Sequence, residues 1–401
     1  MSNQNQTIKL HPVVQVVLFC LLILNFLHLT KYDPLFNVGL SSINITLALL
    51  CGTLVYYVLW NRLSINGPVR NIMITFIILS FFQTISYVIN IDDNSMQELL
   101  RLLLYFGLIL TFILIKWDSE SLTKFGHFLS VLVLLILIDW VSSGYQTHLF
   151  KGSLLRHPNA LAVLLFTFLY FQILSIRFTV GFQRVYFIYT LMVNLLLIYS
   201  TGSRSIFLSI FLVFISALLL KYIKKFYRLF FLILISFSLV FFYLFVKLSD
   251  MKIGHTLNSI SLNLLDKPLF NGRQKVWSQI WPHVTESPLV GHGVEVDGRQ
   301  FTNPVFTAHN QYLQMALEVG VLGLAVFLVL LFLIWKLLII SADKNFAANL
   351  SISFFVAILI YENFELTLFQ NNYEIGMMQW LVITSGIYFN QSSYRKKQKS
   401  I

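Results

Sequence analysis

Charge and cysteine are both scarce in this sequence. Only 11% of the 401 residues are charged and 57% are hydrophobic, whereas a soluble domain carries roughly 25% charged residues. The two cysteines, Cys20 and Cys51, lie in apolar runs, so they can form neither a disulfide framework nor a metal site of ordinary spacing. These shortages exclude a soluble globular core and predict a polytopic membrane protein.

Long apolar runs fill most of the chain, and each run that can form a helix of about 20 residues is a candidate membrane span. The predicted fold is therefore an all-α integral membrane protein with about twelve transmembrane helices. The first run is expected to be an uncleaved span, because no small-residue cleavage site follows it. The predicted spans are 12–29, 39–60, 70–90, 99–116, 122–141, 158–176, 184–200, 205–220, 229–247, 310–336, 347–362 and 373–390.

The distribution of lysine and arginine predicts the orientation. An even number of spans places both termini on one side, and basic residues are enriched in the loops on that side, so both termini are expected to be cytoplasmic. The net charge of +11 is then mostly a signal of membrane orientation and does not argue for nucleic-acid binding. We expect a multi-pass protein of the cytoplasmic membrane. Its parts are nine helices in 1–247, a large extracytoplasmic loop with a short amphipathic helix in 248–309, three helices in 310–390 and a basic tail in 391–401.

The stretch KGSLLRHPNALA (151–162) places basic and amide side chains just before the sixth predicted span. Pro158 suits the first turn of that helix, where a missing backbone N–H goes unused. The stretch is either a polar loop with a helix start or part of a substrate site on the outer surface. Its candidate substrate-binding residues are Lys151, Arg156, His157 and Asn159.

The stretch STGSRSIFL (200–208) joins two apolar runs through a very short turn. Ser203 is a candidate cap for the second run, and the free N–H groups of a helix N-terminus favour an anion. Arg204 places a positive charge on the outer side, against the overall charge bias, so we expect it to have a specific role. Two interpretations stay open: an anion site, or an arginine that reaches the lipid headgroups.

The large loop contains the segment GRQKVWSQIWPHV (272–284). Arg273, Trp277 and Trp281 recur every four residues, which would place them on one face of a helix. Such a helix suits the membrane surface, with tryptophans at headgroup level, and Pro282 is expected to end it. The segment is either a substrate-binding element or a cover helix without chemistry.

His309 and Asn310 are predicted to lie at the outer mouth of the tenth span. Glu318 follows roughly 13 Å deeper by helical rise. A carboxylate at that depth is unfavourable unless it faces a partner or a water-filled cavity. Because Glu318 points away from the His309 side of the helix, we expect a buried structural or gating role for it. An imidazole can accept a proton from a hydroxyl, and arginines pair well with phosphate oxygens. The histidine and the arginines predicted on the outer side therefore suit an anionic lipid headgroup.

These motifs together resemble the O-antigen ligase and polysaccharide polymerase superfamily of multi-spanning cell-envelope enzymes. The shared pattern is an arginine and a tryptophan in an outer loop, then P-L-x-G-x-G, then H-N-x-x-L and a glutamate followed by two glycines. The matching residues are Arg273, Trp277, Pro288, Leu289, Gly291, Gly293, His309, Asn310, Leu313, Glu318, Gly320 and Gly323. The earlier S-R and H-P-N segments of the family match Ser203–Arg204 and His157–Asn159.

The resemblance implies a glycosyltransferase that acts on glycans carried by undecaprenyl diphosphate at the outer face of the membrane. An acceptor hydroxyl attacks the anomeric carbon and undecaprenyl diphosphate leaves, with inversion and without a metal, another cofactor or a nucleotide sugar. His309 would be the general base, and Arg273 and Arg204 would stabilise the diphosphate. The expected substrate-binding residues are Lys151, Arg156, His157, Asn159, Ser203, Asn310, Trp277 and Trp281.

Three functions stay open at this point. A polymerase of capsule, exopolysaccharide or O-antigen joins lipid-linked repeat units, and we expect this function because polymerases are the commoner and more divergent members. A ligase transfers the glycan to a different acceptor, such as lipid A-core. A flippase or transporter of lipid-linked glycans is the third. Such proteins often carry charged residues near the membrane midplane. Here Glu318 is the main candidate acid deep in a span, and the basic residues cluster outside, which favours chemistry at the surface over transport. The expected partners are an undecaprenyl-diphosphate-linked oligosaccharide, membrane lipids, a flippase and a chain-length regulator, and no nucleic acid.

Overall fold

The computed structural model is almost entirely α-helical. It describes residues 7–60, 65, 67–90, 95–144, 157–265, 268–270, 272–294, 296–303, 306–339, 345–369 and 372–398. Among these residues there is no strand, and one isolated bridge joins Ile8 to Ile115. The helices are α1 (Pro12–Leu24), α2 (Asp33–Leu59), α3 (Gly67–Ile89), α4 (Ser95–Leu114), α5 (Ser119–Ser142), α6 (Pro158–Phe178), α7 (Gly181–Thr201), α8 (Arg204–Lys225), α9 (Tyr227–Leu248), α10 (Lys252–Leu265), α11 (Arg273–Glu286), α12 (Gln311–Ile339), α13 (Phe346–Tyr361) and α14 (Tyr373–Gln398), with 3-10 helices at Asn25–Leu29 and Gly298–Gln300.

Ten helices in the described part of the chain are long and apolar enough to cross a membrane, and they coincide with the first ten predicted spans. The helix α13 is apolar but has only 16 residues, and α14 has 26. These two coincide with the last two predicted spans. The prediction of an all-α integral membrane protein is confirmed. The orientation of the termini and the domain boundaries stay predictions.

Three central helices, α6, α13 and α14, are held together by hydroxyl groups. The Tyr170 hydroxyl on α6 lies 2.7 Å from Ser351 Oγ on α13 and 2.7 Å from Ser385 Oγ on α14. A Cβ at Gly386 would come within 2.2 Å of the Ser351 Cβ, so the glycine lets α13 and α14 approach closely. Small residues and interhelical hydrogen bonds of this kind drive helix association in lipid, where apolar surface alone gives no advantage.

The large loop holds two helices, whereas the sequence predicted only one. The unpredicted helix is α10, and α11 is the predicted amphipathic segment. The expectation that Pro282 ends this segment was wrong, because α11 continues to Glu286. Pro282 and Ser278 are both exposed, so water can solvate the Ser278 carbonyl that the proline leaves without a helical N–H. The Thr285 hydroxyl donates to the Pro282 carbonyl at 2.6 Å and supports the last turn.

The helix α12 is broken at Gly320, and the preceding loop fills the break. Gly320 has a φ of 71° and a ψ of −179°, which interrupts the helical hydrogen bonds. The Val321 N–H instead donates to the Pro288 carbonyl at 2.7 Å, and the His292 N–H donates to the Leu317 carbonyl at 2.8 Å. The P-L-x-G-x-G motif therefore supplies backbone partners that a membrane environment could not.

Two glycines make this contact possible. A Cβ on Gly291 would come within 2.3 Å of the Glu318 carbonyl carbon, and a Cβ on Gly320 within 2.6 Å of that of Leu289. Both glycines have positive φ, which an L side chain rarely adopts. The glycines of the two motifs thus serve one backbone junction, which fixes the large loop against the half of α12 that begins next to His309.

We expect Gly320→Ala to destabilise the protein by about 1–3 kcal/mol, because the new methyl group adds backbone strain and collides with the loop. Gly52→Ala is the matched control, since nothing lies within 4 Å of a Cβ at that exposed position on α2. The melting temperature of each detergent-solubilised variant measures the effect. Equal melting temperatures for Gly320→Ala and Gly52→Ala would show that the junction does not constrain α12.

Candidate functional site

A cavity of about 610 Å³ gathers residues from the membrane helices, the large loop and the connection between α13 and α14. Three residues predicted from the sequence line it: His157, Asn159 and His309. The turn that precedes Arg204 contributes Thr201 and Gly202. Polar or aromatic lining residues that the sequence did not single out are His28, Phe36, Arg299, Thr307, Tyr361, Glu365, Thr367 and Asn372.

One carboxylate in this cavity binds two of the predicted catalytic residues. Glu365 Oε1 accepts a hydrogen bond from Arg273 Nη2 at 2.7 Å, and Glu365 Oε2 lies 2.9 Å from His309 Nδ1. The side chains of Arg273 and Glu365 are only 16% and 14% exposed, so solvent screens their interaction weakly. When Nδ1–H donates to Glu365, the lone pair of a neutral imidazole is on Nε2. His309 is then oriented to act as a base.

The backbone of His309 has an unusual conformation that its neighbours hold in place. Its φ of 44° is in the left-handed region, which non-glycine residues seldom adopt and which is frequent at functional sites. On one side, the Trp277 Nε1–H donates to the Ala308 carbonyl at 2.7 Å. On the other, Asn310 Oδ1 accepts from the Tyr312 and Leu313 N–H groups, both at 3.0 Å, and caps α12.

The structure therefore corrects the expected roles of Asn310 and Trp277. Both were predicted to contact substrate, but Asn310 is 2% exposed, Trp277 is fully buried, and neither lines the cavity. The Asn310 amide oxygen is occupied by the helix cap, and the Trp277 indole packs among aromatic rings of α9. Both residues position His309. Trp281 is 48% exposed and packs against Phe242, so its predicted contact with substrate stays a prediction.

The two predicted catalytic arginines lie beside the cavity and do not line it. Arg204 Nη2 donates to the Pro268 carbonyl at 2.9 Å, and its charge is close enough to that of Arg273 for the two to repel. Arg273 also lies over the Phe364 ring, 5.9 Å from its centroid. Two neighbouring guanidinium groups favour an anion that would relieve their repulsion.

Ser203 occupies the N-cap position of α8, as predicted, but its side chain does not cap the helix. The Ser203 hydroxyl lies 3.3 Å from the Ser205 hydroxyl, and the Ser203 N–H donates to Thr201 Oγ1 at 3.3 Å. The side-chain cap was therefore wrong. Ser203 is 4% exposed and is absent from the cavity lining, which also corrects its expected contact with substrate.

The stretch before α6 is only partly described by the structure. Lys151 and Arg156 lie outside the described residues. His157 and Asn159 are exposed at the start of α6, and both line the cavity. Their place in a substrate site stays a prediction that this geometry supports.

Glu318 is buried and hydrogen-bonded. Its Oε1 accepts from Gln314 Nε2 at 2.7 Å, and the same amide nitrogen donates to the Val296 carbonyl at 2.6 Å. The Glu318 carbonyl accepts from the Ser86 hydroxyl on α3. Glu318 thus ties the first half of α12 to the large loop and to α3. These contacts support the predicted structural role, and the gating role stays a prediction.

Sequence reasoning missed the connection between α13 and α14, which supplies Glu365. A usable signal was present: the stretch YENFELTLFQNNYE (361–374) carries three of only 17 acidic residues, between two apolar runs. The first of them, Glu362, is buried and accepts hydrogen bonds from Thr367 Oγ1 at 2.6 Å and Gln379 Nε2 at 3.2 Å. It also accepts from the Thr367 and Leu368 N–H groups. These bonds fix the shape of the connection around Glu365.

Burial raises the pKa of Glu362, which follows the end of α13, from 4.5 to about 7. A carboxyl group whose pKa is higher in the folded state contributes stability that is fully present below its unfolded pKa. That contribution is lost as pH rises through the folded pKa. The window for this group therefore runs from about pH 4.5 to about pH 7.

We expect the melting temperature of the wild type to fall, relative to that of Glu362→Gln, as pH is raised across this window, because only the wild type acquires a buried charge. Thermal unfolding in detergent at a series of pH values measures the difference. Glu286→Gln, at an exposed position on α11, is the control and should follow the wild type. Parallel curves for the wild type and Glu362→Gln would show that Glu362 does not titrate in this window.

Comparison with known proteins gives two findings. The model of a protein family described as O-antigen ligase matches residues 187–328, which include Arg204, Arg273 and His309 but not Glu365. A protein of Rickettsia conorii that carries the provisional name polysaccharide ligase is 24% identical over 279 residues. This alignment covers 64% of the present chain and 62% of the relative, which is less than two thirds of the relative's length.

Proposed function

We propose that this chain, which belongs to the O-antigen ligase and polysaccharide polymerase superfamily, transfers a glycan from a polyprenyl diphosphate carrier to a hydroxyl of a separate acceptor. The observation that carries the proposal is the carboxylate of Glu365, which binds His309 with one oxygen and Arg273 with the other. This contact places a proton acceptor and a cation together beside a cavity that is large enough for sugar rings.

The proposed proton acceptor is Nε2 of His309. The acceptor hydroxyl gives its proton to Nε2 while its oxygen attacks the anomeric carbon of the donor sugar. The imidazolium that forms is stabilised by the Glu365 carboxylate on Nδ1, in the way that the acid of a Ser-His-Asp triad supports its histidine. Glu365 is thus a positioning residue, and His309 is the group that contacts the acceptor.

The proposed diphosphate site is formed by Arg273 and Arg204. As the bond from the anomeric carbon to the diphosphate oxygen breaks, both electrons stay with that oxygen, so the leaving group gains negative charge and needs no proton. Guanidinium groups supply fixed positive charge and paired N–H donors for phosphate oxygens. Arg299 lines the cavity, but its Nε lies 3.3 Å from Asp297 Oδ2, so part of its charge is already balanced.

The comparisons favour transfer to a separate acceptor. The sequence motifs alone led us to expect a polymerase, yet the matching family is described as a ligase and the relative also carries that word in its name. We therefore put the ligase reaction first. By resemblance, the donor is an undecaprenyl-diphosphate-linked glycan, the reaction inverts the anomeric centre, and the active site faces outward from the cytoplasmic membrane.

The test uses the purified protein in liposomes with one lipid-diphosphate-linked glycan, first alone and then with a second glycolipid. Gel separation of the products should show transfer only when the second glycolipid is present. A ladder of oligomers from the donor alone would establish a polymerase in place of a ligase. No product under either condition, together with movement of the donor across the bilayer, would support a transporter.

We expect Glu365→Gln to lower the turnover number by about 10–100-fold, and His309→Ala by about 10²–10⁴-fold, because general base catalysis contributes this much. If the two residues act as one unit, the double variant should turn over no more slowly than His309→Ala alone. Initial rates of glycan transfer provide all values. Glu286→Gln is the matched control, because Glu286 Oε2 lies 2.8 Å from His283 Nδ1 in an exposed pair that does not line the cavity. Additive losses in the double variant would argue against a His309–Glu365 unit.

We expect Arg204→Lys to reduce turnover by about tenfold or more, because the point charge of an ammonium group does not replace a planar pair of donors. Initial transfer rates at saturating acceptor measure the effect. The control is Arg228→Lys, in the first turn of α9, where the guanidinium lies over the Tyr227 ring. Wild-type rates for Arg204→Ala would indicate that Arg204 serves only to contact lipid headgroups.

A further inference from the structure

We propose that a second carboxylate-bound imidazole in the cavity, His28 with Glu374, forms a subsite for the sugar hydroxyls of the acceptor, together with the neighbouring ring of Phe36. His28 Nδ1 lies 3.3 Å from Glu374 Oε2, and both His28 and Phe36 line the cavity. The inference rests on the proposed glycan transfer and extends it by naming the residues that take the acceptor.

His28 lies in a short 3-10 helix that is packed against α2. The helix α1 ends at Leu24 and continues as the 3-10 helix Asn25–Leu29, which carries His28. The buried Asn25 side chain donates to Thr46 Oγ1 on α2 at 3.3 Å. A Cβ on Gly39 would come within 2.1 Å of the His28 backbone nitrogen, so α2 lies directly against this segment. The position of His28 is therefore fixed by close packing.

The contacts of His28 leave a hydrogen-bond acceptor for a ligand. Because Nδ1 faces Glu374, a neutral His28 that donates there has its lone pair on Nε2. The side chain of His28 is 19% exposed, whereas that of Glu374 is fully buried. Within the described residues, Glu374 Oε1 has no hydrogen-bond partner, although it is buried. Glu374 does not line the cavity, so it acts on the ligand only through His28, whose Nε2 is the acceptor that a sugar hydroxyl can reach.

The other lining residues near this pair suit a neutral, hydroxylated ligand. The Phe36 ring stacks on the His28 ring with centroids 4.4 Å apart. The same cavity is also lined by the exposed side chains of His157 and Asn159 and by the half-buried amide of Asn372. An apolar ring beside neutral hydrogen-bonding groups matches a sugar, which has apolar C–H faces and hydroxyl edges.

A difference in charge separates this subsite from the one at His309. Glu365 is shared between an imidazole and the guanidinium of Arg273, whereas Glu374 is bound by the imidazole of His28. The guanidinium suits the diphosphate of the donor, whereas an imidazole stacked on an aromatic ring suits the sugar of the acceptor. Both glutamates belong to the segment from α13 to the start of α14, so one segment supports both parts of the cavity.

The test measures binding of the oligosaccharide part of the acceptor glycolipid, prepared so that it carries neither lipid nor phosphate. Saturation-transfer NMR with the full-length protein in nanodiscs gives its dissociation constant. Phe36→Leu keeps the His28–Glu374 pair intact, and the double variant His28→Ala/Glu374→Gln removes the imidazole without leaving a buried charge. Each should weaken binding by about threefold to tenfold, the effect of one neutral hydrogen bond or a lost ring contact. The exposed His255→Ala is the control and should bind like the wild type.

Transfer kinetics give a second readout that a purely structural role would not produce. Both His28-site variants should raise the apparent KM for the acceptor by a similar factor, with the kcat and the KM for the donor nearly unchanged. If the wild type transfers glycan and neither variant changes oligosaccharide binding or the acceptor KM, the inference fails and the proposed function stands. A fall in kcat with unchanged binding would also overturn it, since His28 would then act on the chemical step. If the wild type shows no transfer, the proposed function fails as well.

Discussion

The candidate site depends on one carboxylate, that of Glu365, which is largely withdrawn from water and has two partners. Glu365 would be unstable alone in this environment, because a charge removed from water needs compensation. Arg273 supplies the opposite charge and His309 supplies a hydrogen bond, so the two partners of Glu365 are held near each other. Loss of Arg273 would leave the charge of the carboxylate uncompensated, and loss of His309 would remove one of its hydrogen bonds. A proton acceptor and a cation are therefore kept together by the same requirement that stabilises the fold.

The surrounding structure serves to keep backbone groups satisfied near the membrane. The strained φ of His309 is stable because Trp277 and Asn310 bind the adjacent backbone on both sides. The break at Gly320 persists because the loop that contains Pro288 replaces the missing helical partners. An unsatisfied peptide group in a membrane costs several kcal/mol, roughly the whole stability of many domains. The motif residues that only support the backbone are therefore as restricted in conformation as those proposed to contact substrate.

The sequence predicted the helices well and the partners of the candidate site residues poorly. Apolar runs predicted all ten helices that, in the described part of the chain, are long and apolar enough to cross a membrane, because burial of the backbone in lipid permits only a closed helix. The motifs also singled out His309 and Arg273, which share one carboxylate in the structure, and Arg204, and the roles of all three stay predictions. Glu365 was missed, since it lies 56 positions beyond His309 and its relation to that residue exists only after α12 and α13 pack together. Asn310 and Trp277 were expected to contact substrate because of their residue types. Whether a side chain reaches the cavity depends on its burial, which the sequence alone does not show.

Under the proposed function one cavity must take two substrates, and the residues between α13 and α14 offer a physical basis for this. Transfer between two glycolipids requires the donor diphosphate and the acceptor sugar to be recognised by different chemistry, or each would occupy the site of the other. Glu365 in this connection is paired with a guanidinium and an imidazole, while Glu374 in the first turn of α14 is paired with an imidazole. The Glu362 carboxylate accepts four hydrogen bonds from Thr367, Leu368 and Gln379, which fix the chain on both sides of Glu365. The proposed transfer needs such a fixed geometry, because the attacking oxygen would have to approach the anomeric carbon opposite the departing diphosphate.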